Sequence, residues 1–112
     1  MPITNDKLKN YPFLEEMYKD DYFPTFLVDK GKAILVRLCE AIEAEKPADN
    51  DSLLRLTHAA TDEFNALDQE LVENGSEIET IAREIIAENF EIIVKAYGFD
   101  IDTEDVIGTR DW

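Results

Sequence analysis

Only one cysteine, Cys39, and one histidine, His58, occur in the 112 residues. A lone cysteine excludes a disulfide framework and makes a reducing cytoplasm the expected location. The two counts together exclude zinc held by Cys and His, and the paired Glu-x-x-His motifs of a di-iron bundle are absent. No apolar run approaches the ~20 residues of a membrane span, and the opening MPITNDKLKNYPF lacks the apolar stretch of a secretory signal. Glycine and proline number four each, so breaks between elements are few and each is informative. Basic residues are scarce too, eleven against twenty-six acidic ones, for a net charge of -15.

That charge is unevenly spread. Residues 1 to 46 are close to balanced, whereas residues 47 to 112 carry four basic and seventeen acidic side chains. A field of this sign repels phosphate backbones and anionic headgroups, so neither nucleic acid nor a membrane is the expected partner. A basic protein is the physical complement, and solubility alone is the bland reading. With 45% hydrophobic residues and eleven aromatics the chain is not of the disordered type, and its length suits one domain with its own core.

The apolar residues recur at helical spacing. In SEIETIAREIIAENFEIIVKAYG, residues Ile78, Ile81, Ala82, Ile85, Ile92, Ile93 and Ala96 follow the pattern of a buried face, and Ile86, Phe90 and Tyr97 widen it. The width predicts a central helix over residues 77–97. Ser76 and Glu79 have the spacing of a capping box, and Gly98 stands where a left-handed residue closes a helix. Asn89 falls on this stripe, either as a ligand contact or as a hydrogen-bonded core amide, the ordinary state of a buried polar group.

Upstream, YPFLEEMYKDDYFPTF holds six of the eleven aromatics. Pro12 suits the first turn of a short helix with Phe13, Leu14, Met17 and Tyr18 on its apolar side, forming a cover on the bundle. Pro24 and Thr25 open a helix to about Glu45, which Pro47 stops. Gly31 costs roughly 1 kcal/mol in a helix interior. It therefore predicts either a close crossing or a break near Asp29 to Lys32, since a single glycine between two lysines lacks the spacing of a phosphate loop. Asp and Asn residues in ADNDS cap a third helix over residues 51–73, where Leu53, Leu56, Thr57, Ala60, Phe64, Leu67 and Leu71 keep a seven-residue rhythm up to Asn74-Gly75. The tail has a cap at Asp102 or Thr103, a helical turn through Val106 and Ile107, and Trp112 folding back onto apolar surface.

Chemistry is thinly represented. His58 and Asp62 lie one turn apart, but two ligands do not make a metal site. Asp100, Asp102, Glu104 and Asp105 depart from a calcium loop at its fifth and sixth positions and lack the turn glycine. Neither Ser52 nor Ser76 sits in a strained nucleophile turn. Cys39 reads as a small core hydrophobe. No catalytic set, metal or cofactor is read, so an enzyme is not the expectation.

YPFLEEMY, YFPTFLVDKGKAILVRLCE, LTHAATDEFN, ENGSEIETIARE and the terminal TRDW resemble a small bacterial family catalogued as domain of unknown function 5713. The resemblance spans nearly the whole chain and implies one helical domain, with no activity or catalytic residues to carry over. The expected fold is all-α: a small helical bundle of three longer helices with a short N-terminal helix and a short C-terminal turn. It forms a single domain over residues 1–112, with residues 1–10 loosely ordered. The expected function is an acidic cytoplasmic interaction module, of inhibitor or immunity type, that meets a basic protein partner. The alternative is a small-molecule binding protein or small enzyme with a pocket under the aromatic segment, where Tyr11, Tyr18, Tyr22 and Asn89 are the polar contacts. A homodimer pairing its long helices across a two-fold axis is the third reading.

Overall fold

The computed structural model describes residues 3–112; Met1 and Pro2, part of the segment expected to be loose, lie outside the described residues. Five helices follow in order: α1 (Glu15–Tyr18), α2 (Thr25–Glu45), α3 (Asn50–Glu73), α4 (Thr80–Ala96) and α5 (Thr103–Val106). The all-α bundle of three long helices and two short ones is as expected, and no strand occurs among the described residues. No described helix is long and apolar enough to cross a membrane.

Local chemistry sets most of the boundaries. Asp49 caps α3, its Oδ1 accepting from the Ser52 amide at 2.8 Å. At the other end Gly75 takes a φ of +80°, which lets its own amide reach Val72 O (3.1 Å) and the Ser76 amide reach Leu71 O (2.8 Å). The same pair of bonds closes α4 around Gly98, from Gly98 to Lys95 O and from Phe99 to Val94 O.

α2 and α3 run antiparallel, as Lys30–Glu70 (2.6 Å) and Arg37–Glu63 (2.7 Å) show by descending along one helix while ascending the other. Both pairs are solvated and contribute at most about 1 kcal/mol each. Buried apolar area does more, at ~1.5–3 kcal/mol for each large side chain. The expected stripe of α3 is buried at Leu53, Thr57, Ala60, Phe64, Leu67 and Leu71. α2 and α4 each pack on three other helices, α2 on α1, α3 and α4. α4 packs on α1, α2 and α5, and its Phe90 meets Phe64 of α3 edge-on at 5.8 Å.

Gly31 is a close crossing and not a break, since α2 is continuous through it. A Cβ there would stand 2.9 Å from Leu14 Cδ1, 3.3 Å from Phe64 Cε1 and 3.4 Å from Leu67 Cδ2. Cys39 is a core residue, fully buried, and burial pushes its thiol up to about 12.

Two expectations require correction. α4 begins at Thr80, not 77, and the capping box is not formed: Ser76 is buried with its hydroxyl unpaired, and Glu79 makes no side-chain cap. The Ser76 amide instead closes α3, and the Ile78 amide donates to Asp68 Oδ1 at 2.7 Å, so residues 76–79 lead into the helix outside it, with Glu79 extended. Ile78 is buried in that lead-in, whereas Ile81, expected on the buried face, is 65% exposed.

The described part of the N-terminal segment makes contacts with α2 and α4. Leu8 is buried, Asn5 Nδ2 donates to Ala96 O, and the Thr4 and Asn5 amides donate to the Glu43 carboxylate. No local pattern signals these bonds, because every partner lies more than thirty residues away.

Gly31→Val is expected to destabilise the fold by about 2–3 kcal/mol through overpacking. Urea unfolding measures this, and an unchanged midpoint would mean that Leu14 moves aside without cost.

Candidate functional site

The aromatic segment divides into a buried and an exposed part. Phe13, Leu14, Met17 and Phe23 are buried as the cover that the composition predicts. Asp20 then forms a turn, its Oδ1 accepting from the Tyr22 amide at 2.9 Å and its carbonyl from the Phe23 amide at 3.2 Å. The turn sends consecutive rings opposite ways: Phe23 is 6% exposed and Tyr22 44%, their rings edge-to-face at 5.0 Å.

Facing this turn is the lead-in to α4. The two lie either side of an open groove of about 690 Å³, bordered by Asp20, Tyr22 and Phe23 on one side and by the run Glu77 to Arg83 on the other. Its apolar surface comes from Tyr22, Phe23, Ile78, Ile81 and Ala82, and its carboxylates are Asp20, Glu77 and Glu79. Among the described residues none of these three carboxylates is in an ion pair. A hydrogen bond to Glu79, with the charges of Glu79 and Asp68 behind it, raises the Glu77 carboxyl above its ordinary value. Arg83, the one cation of the lining, is turned toward the tail, its Nε donating to the Trp112 main-chain oxygen at 3.2 Å.

Of the four residues proposed from sequence, Tyr22 alone lines the groove. Tyr11 is half-buried with its ring 5.1 Å from that of Phe13, and burial followed by the charge of Glu88 raises its phenol. Tyr18 donates to Asp29 Oδ1 at 2.6 Å, and burial together with that bond pushes its phenol up to about 12. Asn89 lies beneath the segment as a core amide. Its Oδ1 accepts from the Leu14 amide at 3.2 Å and its Nδ2 donates to Ile85 O at 2.7 Å. Leu14 needs that acceptor, because it is buried with a φ of +59°, a left-handed conformation uncommon for leucine. The structure therefore does not bring the four together.

A second polar cluster, invisible to sequence reasoning, surrounds Glu43. Its carboxylate accepts from the Thr4 amide and hydroxyl, the Asn5 amide and the Tyr97 hydroxyl. Burial alone raises a carboxyl, but the bonds from Tyr97, Thr4 and Asn5 outweigh it and hold Glu43 at about 2. Tyr97 is pushed up, first by burial and then by its bond to Glu43.

His58 serves the tail. With its proton on Nε2 it donates to Asp105 O at 2.7 Å, while Thr109 donates to the His58 carbonyl and Asn65 bridges Thr109 and Asp111. Asp102 caps α5 by accepting from the Glu104 amide. Trp112 is buried edge-on to Phe64 at 6.3 Å with the Arg110 guanidinium over its ring at 5.8 Å. Among the described residues no group of three or more His, Cys, Asp and Glu side chains is placed to hold a metal ion.

Two outcomes test these assignments. Asn89→Ala is expected to cost about 2–3 kcal/mol in urea unfolding, because it leaves the buried Leu14 amide without an acceptor. Glu43 has a folded pKa of about 2, below its unfolded value near 4.5, so its stabilisation is present above pH 4.5 and is lost as pH falls toward 2. Glu43→Gln is therefore expected to lower stability by about 1–2 kcal/mol at pH 7, a figure reduced for partial exposure. The gap from the parent protein should close on acidification, and a gap independent of pH would remove the charge from the explanation.

Residues 7–112 match a protein family whose description is "Family of unknown function (DUF5713)". Comparison with curated proteins finds no match, and comparison with solved structures finds none either.

Proposed function

The chain belongs to this family of unknown function, whose description carries no activity, and from its surface chemistry we propose that it is an acidic interaction module binding a basic protein partner. An inhibitor or immunity-type protein that covers a positively charged site is the form this takes, acting in a reducing cytoplasm.

The observation that carries the reading is the placement of three of the four cations in residues 47–112, all but Arg55. Arg83 and Arg110 both donate to the Trp112 main-chain oxygen, and Lys95 is paired with Glu91 one turn away. Of the seventeen carboxylates in this half, only Glu63, Glu70, Glu91 and Glu104 take part in ion pairs among the described residues. The rest of the negative field is left for an external partner, where complementary charge speeds association and selects against acidic competitors.

The test is affinity capture from native lysate at low and raised salt, followed by binding kinetics with the purified partner. A stoichiometric basic protein is expected, with an association rate falling about tenfold or more as salt screens the field. Binding that ignores ionic strength, or a partner that is itself acidic, would overturn the reading.

A further inference from the structure

We propose that the groove between the Asp20–Phe23 turn and the start of α4 is where this partner docks, and that it takes a segment presenting one apolar side chain flanked by lysine or arginine. The inference rests on the interaction reading above and gives it a location.

Three observations converge on the groove. The first is exposed apolar surface on both walls, with Tyr22 at 44% and Ile81 at 65% exposure over a floor that includes buried Phe23, Ile78 and Ala82. Aromatic and branched aliphatic side chains around a concave surface are the usual anchors of a protein interface. The second is that both walls are held before anything binds: one by the Asp20 turn, the other by the bond from the Ile78 amide to Asp68. Little ordering cost then falls on association. The third is sign. Asp20, Glu77 and Glu79 all border the groove, and among the described residues none of the three is in an ion pair. A cation entering there meets carboxylates on both walls, and the partly exposed Tyr22 ring beside them offers it a cation–π contact.

The same facts decide against other occupants. The uncapped start of α4 favours an anion in principle, but three carboxylates border the space and Arg83 is bonded to the tail. A second copy of this chain would bring another net charge of -15 to an already negative surface.

The experiment is a titration followed by amide NMR, using the whole chain and two synthetic lysine-rich peptides of equal charge, one carrying a single leucine and the other serine in its place. The largest shifts are expected at Tyr22, Phe23 and residues 77–83, with the leucine peptide bound about tenfold tighter or more, as burying that side chain implies. Ile81→Ser, at an exposed position that the fold does not need, should erase the preference for leucine. Glu77→Gln with Glu79→Gln should weaken both peptides. Equal binding of the two peptides, with shifts centred on Glu84, Glu88 and Glu91, would sink the groove while leaving the acidic-module reading intact. Failure of both peptides to bind at low salt would overturn both.

Discussion

Leu14 is the point through which the packing of this protein passes. Its side chain fills the notch that Gly31 leaves on α2, within reach of the same space as Phe64 and Leu67 of α3. Its backbone is left-handed, and its amide is satisfied by Asn89 from the middle of α4. One residue of the aromatic segment thus meets α2 at Gly31 and α4 at Asn89, at the point to which α3 also brings Phe64 and Leu67. A β-carbon at position 31 or an apolar residue at 89 would each remove one side of that arrangement, and the strained conformation of Leu14 persists only because both are present.

Around this node the chain closes itself from both ends. The N-terminal residues reach Glu43 on α2 and the last turn of α4, while the C-terminal tail is held by His58 and Asn65 of α3 and by Arg83 of α4. These closures use polar side chains with partners far away in sequence, and they lay Trp112 against Phe64. The electrostatic result is one-sided. Two of the four cations of the acidic half, Arg83 and Arg110, are directed at the tail, and among the described residues the three carboxylates of the groove beside the Asp20 turn form no ion pair.

How much of this was legible depended on how local the cause was. The long helices, the Asp49 cap and the glycine closures at Gly75 and Gly98 could be read because each rests on residues a few positions apart. Asn89 could be recognised as a core amide from its place on an apolar stripe, though not as the acceptor for Leu14. The start of α4 misled because Ser76 and Glu79 have the right spacing for a capping box. The closure of α3 claimed the Ser76 amide, and Asp68, ten residues back, claimed that of Ile78. The same tertiary bonds put Ile81 outside and built one wall of the groove. Of the candidate site, Tyr22 was readable and its acidic neighbours across the groove were not, since only the fold brings Asp20 near Glu77 and Glu79.

Cys39 gives this architecture a built-in clock. The chain has a single sulfhydryl, wholly enclosed and held in its unreactive protonated form, so a thiol reagent can modify it only during moments when the enclosure comes apart. The labelling rate of the unmodified protein therefore reports those openings, as their equilibrium where reclosing outpaces the reagent and as their rate where it does not, and no engineered reporter has to be placed in the core.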